Sequence, residues 1–207
     1  VKTDLHKSSA IAEVISSSVT EVIAQGLTTI DEDGLPKAGK PRFGSLVRIS
    51  SENGQSNVFA IVHNIVTGPA DGVHRLSAFG LSREQLRAEQ PQIFALLRTD
   101  ISALIVGYSS DSKCYAHLPP QPPDVHDFMY LATVDEIASI IEGFDCFRLL
   151  MNVANVPADE LLAACVRDAY LAKGKDDRFL MHAGQALAQL LRSDYDRLLS
   201  ILRKIKP

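Results

Sequence analysis

Tryptophan is absent from this 207-residue sequence, aromatic residues make up only 6% of it, and there are just three methionines and three cysteines. Any core must therefore be built from Leu, Ile, Val and Ala, and with 46% hydrophobic and 22% charged residues the chain has enough apolar material to build one. Cys114, Cys146 and Cys165 are odd in number, far apart and without CxxC spacing, which excludes a disulfide framework or a zinc knuckle. Each stands among apolar neighbours, so all three are expected to be structural thiols. An excess of basic charge is also missing. The formal net charge is −4, against the basic excess of a protein that grips phosphates. Residues 1–156 hold 12 Lys and Arg against 18 Asp and Glu, and residues 157–207 hold 9 against 7. That mildly basic tail is interleaved with acids and is expected to be a solvated helix face. No apolar run is long enough to span a bilayer and no signal-peptide h-region opens the chain, so no membrane partner is expected and a cytoplasmic location is.

Catalytic signatures are equally scarce. There is no GxSxG elbow, no HExxH, and no GxGxxG placed after a strand. The stretch from Gly34 through Gly39-Lys40 matches GxxxxGK, but a phosphate loop needs a hydroxyl residue next, and Pro41 stands there. The bland reading is a lysine-containing turn. His117 and His126 flank a proline-rich segment, with Asp124 and Asp127 beside His126, but without the helical spacing that brings two imidazoles onto one metal. Hydrogen bonds anchoring that segment are the expected role, and no metal or other cofactor is expected. Carboxylate pairs such as Asp135-Glu136 and Asp159-Glu160 sit at helix starts, where the dipole explains them.

What is present reads as strands first and helices afterwards. Ile11–Ile15 and Val19–Ala24 are β-branched, partly alternating runs. A breaker-rich stretch, 31–41, reads as a loop. Ser45–Ser50 and Val58–Val62 flank an Asn53-Gly54 pair and form a predicted hairpin. Ser82 to Gln85 is a capping box opening a short helix that Pro91 interrupts, with a second helical stretch expected over Gln92–Arg98. Ile101–Tyr108 is a buried strand by its nearly continuous apolar run. His117–Asp124 contains four prolines and must be extended. Its PPQPP core could dock on an aromatic groove, although a packed internal connector is the stronger reading. Thr133 to Glu136 is a second capping box, and three amphipathic helices follow. One starts at Pro157, one carries Phe179, Leu180, Ala183, Leu187 and Leu191, and one starts at Ser193 with Asp196. The expected fold class is α+β: a small N-terminal β-barrel over 1–132 with a short helical insertion and a proline-rich connector, a mixed segment, and a C-terminal helical bundle over 133–207.

The runs Ile11–Ser16, Phe43-Gly44-Ser45-Leu46-Val47-Arg48-Ile49 and Val58–Ile65 resemble the HerA–ATP synthase barrel, the small N-terminal β-barrel of HerA-type DNA translocases. The stretch from Leu118-Pro119-Pro120 to His126-Asp127-Phe128-Met129-Tyr130 is similar to stand-alone cyanobacterial proteins of this type that lack the ATPase core. So are Asp159–Ala164 and Asp194–Arg203. The resemblance covers roughly residues 8–75 and implies a barrel that performs no chemistry but helps assemble rings and contacts partners. Helices stand where the family's ATPase core would follow, so no translocase activity and no functional residue carries over. The leading expectation is thus a non-enzymatic interaction or assembly module with a protein partner or self-association, accessory to a ring ATPase or a DNA-processing complex. Two alternatives name residues. One is an enzyme with a pocket around Arg98, His126 and Asp127; the other is a weak nucleic-acid binder using Arg197, Arg203, Lys204 and Lys206, which the acidic balance disfavours.

Overall fold

The computed structural model describes residues 10–30, 36–38, 41–51, 56–69, 78–111 and 113–205. It is an α+β structure with a closed six-stranded barrel and, among the described residues, seven helices. The strands are β1 (Ala12–Ser17), β2 (Glu21–Gly26), β5 (Leu46–Ser50), β6 (Ser56–Pro69), β7 (Leu97–Ser110) and β9 (Phe128–Leu131). They run in the order β1-β2-β7-β6-β5-β9, and β9 pairs with β1 to close the ring; every pairing is antiparallel. Closure removes the sheet edges that an open six-stranded sheet would expose. β8 (Lys113–Tyr115) adds to β7 at Tyr108–Ser110. A separate two-stranded ribbon joins β3 (Thr28–Ile30) to β4 (Pro36–Ala38), so part of the breaker-rich stretch expected to be a loop is strand. Gly34, Gly39 and Lys40 of the GxxxxGK match lie outside the described residues.

Alternation along the strands makes two cores. Val14, Val22, Val47, Ile49, Val62 and Ile101 point inward and fill the barrel with aliphatic side chains. Leu46, Phe59, Ile61 and Val106, on the opposite face of the same strands, belong to a second core shared with the helices. Full burial of one such side chain is worth about 1.5–3 kcal/mol. Each of β5, β6 and β7 therefore serves both cores through its period of two.

The helices are α1 (Arg83–Glu89), α2 (Gln92–Ala95), α3 (Val134–Ile141), α4 (Cys146–Met151), α5 (Ala158–Ala172), α6 (Asp177–Leu190) and α7 (Tyr195–Ile205). Both predicted capping boxes are formed, at Ser82/Gln85 and at Thr133/Glu136. The second helical stretch is shorter than expected, because Leu97 and Arg98 already pair with Pro69 and Gly68 as the first residues of β7. The last helix is capped one residue later than expected: Asp194 Oδ1 accepts a hydrogen bond from Arg197 N at 3.1 Å. The proline segment has neither helix nor strand, and Pro119 and Pro123 are buried. α5 is the hub. Leu161 through Val166, Ala169 and Tyr170 are all buried, leaving it little solvent-facing surface.

α5 reaches the barrel at Gly44. A Cβ there would lie 2.6 Å from the Ala164 carbonyl carbon and 2.7 Å from both Ala164 Cβ and Cys165 N. Gly44 also has φ +88, and its amide donates to Val62 O at 2.8 Å, continuing the β5–β6 ladder. Arg48 on β5 adds a polar fastening: its Nη1 donates to Glu136 Oε1 at 2.8 Å, while the other oxygen of that carboxylate accepts from Thr133 N to complete the α3 cap. The Arg48 guanidinium also lies 5.0 Å from the centre of the Tyr130 ring.

Gly44→Ala should lower stability in urea titrations by about 3 kcal/mol, combining a left-handed backbone with a clash against helix backbone. Gly80→Ala shares the positive φ but has nothing within 4 Å of the added Cβ. It should cost only about 1–2 kcal/mol. Equal losses in the two variants would mean that the helix contact contributes nothing.

Candidate functional site

The barrel separates Arg98 from His126 and Asp127. Arg98 is the second residue of β7 and its guanidinium lies 3.2 Å from Asp100. His126 and Asp127 precede β9, and β7 and β9 are three strands apart in either direction around the ring. His126 sits in a turn with φ +78, its amide donating to Val14 O at 2.9 Å and its Nδ1 2.6 Å from Glu13 Oε1. Asp127 is buried, and its Oδ2 accepts from Asp124 N at 3.0 Å. Both side chains thus fix the turn that delivers the chain into β9, in keeping with an anchoring role. His117 is elsewhere, in an aromatic cluster where Tyr108 and Tyr115 stack at 4.9 Å.

The basic residues of the last helix are largely engaged. Arg197 Nε donates to Asp159 Oδ1 at 2.8 Å, a bond that raises its pKa above the ordinary arginine value. Lys204 Nζ is 2.6 Å from Glu160 Oε1. Both carboxylates belong to the first turn of α5, so the pairs clamp α7 across it. Arg203 is exposed, and Lys206 lies outside the described residues. Half of the four-residue basic face is thereby neutralised.

Cys146 and Cys165 are buried in the helix-side core, whereas Cys114 on β8 is exposed, contrary to the expectation of three structural thiols. Among the described residues β8 pairs with no strand but β7, which is why apolar flanking residues did not ensure burial. Burial pushes the Cys146 thiol up to about 12, and the Cys165 thiol well above its ordinary value. Neither supplies a thiolate nucleophile at neutral pH. A shallow cleft of about 880 Å³ lies between α4 and the end of α6, with Arg148 and Arg192 on its walls. Both arginines stand at helix C-termini, where a cation offsets the negative end of the dipole.

The surface that sequence reading did not locate is the insertion between β6 and β7. No side chain of α1 is buried. Phe79, Leu81 and Leu96 are 46%, 39% and 55% exposed, and Val66 on the adjoining part of β6 is 54% exposed. Arg83 and Arg87 lie over the Phe94 ring, 5.9 and 5.5 Å from its centre, which ties α1 to α2. The capping box signalled that this helix forms; only the folded chain shows that it buries nothing.

A thiol reagent should modify one cysteine per folded chain, Cys114, and all three after denaturation. Rapid modification of a second thiol in the native state would contradict the buried placement. The alkaline limb follows from the same burial. The thiol of Cys146 is raised from 9.0 to about 12, so its contribution is fully present below pH 9 and is lost as pH rises toward 12. Its part of the slope is about −1.4 kcal/mol per pH unit, and Cys146→Ala should flatten the alkaline limb by that amount. Compared with known proteins, the chain matches no protein-family model and no curated protein.

Proposed function

We propose that the protein is a non-enzymatic assembly module that docks a protein partner through the insertion between β6 and β7. The observation that carries this reading is that, among the described residues of the insertion, α1 and α2 pack on each other and contribute no side chain to either core. α1 is capped at its N-terminus and cross-linked to α2 by two arginine–aromatic contacts, yet Phe79, Leu81 and Leu96 remain exposed beside it. Exposed apolar patches rimmed by polar residues mark contact surfaces. The closed barrel with a helical cap supports the further reading of a stand-alone barrel of the HerA–ATP synthase type, accessory to a ring-shaped ATPase or DNA-processing complex. On that reading the helices occupy the place of the ATPase core, and the module contributes position rather than chemistry. The nucleic-acid reading has less support, because Arg197 and Lys204 spend their charge on Asp159 and Glu160.

A photo-activatable residue placed at Phe79 or Leu96, in protein returned to its native extract, should give an adduct with one partner protein. The same residue at Met181, 57% exposed on α6, should not. Partner adducts from Met181 but not from Phe79 or Leu96 would move the docking surface to the helical cap; no adduct from any of them would end the assembly reading.

A further inference from the structure

The cleft between α4 and the end of α6, about 880 Å³ in volume, brings together two cations that the ion pairs of the cap leave unused. Arg48, Lys173, Arg197 and Lys204 each reach a carboxylate, whereas Arg148 and Arg192 form no ion pair among the described residues. Both line this cleft, Arg148 from the last turn of α4 and Arg192 from just beyond α6. Among the described residues no Asp or Glu lines it.

The helix ends account for only part of that charge. A helix C-terminus carries at most about half an elementary negative charge, so two arginines at two such ends leave about one positive charge over. Some of the end carbonyls are also satisfied within the chain. Asn152 Nδ2 donates to Arg148 O at 2.8 Å, and Asp194 N donates to Leu191 O at 2.9 Å. Beside the two cations, Met151, Ala188 and Leu190 supply apolar surface. The Met151 sulfur accepts from Arg197 Nη2 at 3.9 Å, and Arg197 is itself fixed by Asp159, so this wall is preformed.

We propose that the cleft binds a small organic monocarboxylate, its carboxylate held by Arg148 and Arg192 and its apolar body set against Met151, Ala188 and Leu190. One negative charge matches the positive charge that the helix ends leave over. A guanidinium presents a planar fork of N–H donors that suits the two oxygens of a carboxylate. The apolar wall gives an organic body a burial that an inorganic anion such as phosphate does not use. The proposal holds whether or not the insertion has a protein partner.

Hexanoate titrated into the full chain in a buffer free of carboxylates, followed by calorimetry, should bind saturably at a single site. Arg148→Gln and Arg192→Gln should each weaken that binding about tenfold, the loss expected when one charged hydrogen-bonding partner is removed. Arg203→Gln, at an exposed arginine of α7 that does not line the cleft, should bind as the wild type does. Hexanamide has the same body without the charge, and inorganic phosphate has charge without the body; each should bind more weakly than hexanoate. Melting curves establish that the variants are folded. Amide chemical shifts of the wild type test the site without any variant, and hexanoate should move those of residues 148–152 and 188–192. Absence of saturable hexanoate binding, binding that neither Arg148→Gln nor Arg192→Gln weakens, or shift changes confined to other residues overturns the proposal. Hexanamide or phosphate binding as tightly as hexanoate overturns the monocarboxylate assignment.

Discussion

The structure turns on the contact between the Gly44 backbone and the middle of α5. Side chains normally hold packed layers of secondary structure apart; here the residue on the strand side has none, and Ala164 is the residue on the helix side. The helix axis is thereby drawn close to the barrel wall, and α3, α4, α6 and α7 are arranged around a helix that is already held. Leu46, Phe59, Ile61 and Val106 share one core with Leu161, Leu162 and Val166. The ion pairs around α5 are secondary. Arg42–Asp168 and Lys204–Glu160 lie at its rim, each with one partner at least half exposed, and such pairs are worth at most about 1 kcal/mol; Arg197–Asp159 is half-buried.

Arg48 and Glu136 show how one side chain can serve two levels of organisation. The Glu136 carboxylate satisfies an orphan amide at the start of α3 with one oxygen and receives the β5 guanidinium on the other. A local helix-start signal is thus also a tertiary constraint, which fixes the direction in which the chain leaves β9 for the cap. His126 and Asp127 do comparable work on the entry side of β9, through Glu13 and the Asp124 amide. Polar residues that stand out in the sequence near the proline segment hold the last barrel strand in place.

Much of the fold was legible because it is encoded locally. β-branched alternation marks β1, β2 and β5, an apolar run marks the buried part of β7, and two capping boxes mark α1 and α3. What was not legible depends on contacts distant in sequence. The second half of β6, His63–Pro69, has no apolar–polar alternation to mark it, and it is strand because β7 pairs along it. β3 and β4 are three residues each and exist only through one another. α4 spans six residues, too few to show a helical period. Arg98 and His126 could be grouped on paper, but the order of strands around a ring is a global property, and it sets them apart. The insertion carries no chemical motif at all; its apolar residues become informative only once Phe79, Leu81 and Leu96 are seen to be exposed.

The place of β9 in the ring has a consequence for biosynthesis. β1 and β5 are strangers until Phe128–Leu131 slots between them, so the barrel cannot close until those residues have been made. While the ribosome is still adding the proline segment, the emerging polypeptide holds two facing sheet borders that want a strand and have none. Four residues, Phe128 to Leu131, then settle both at once, and the helical cap that follows arrives on a finished wall. A chain ending just before Phe128 would hold β1, β2, β7, β6 and β5 as an open sheet rather than a shorter barrel.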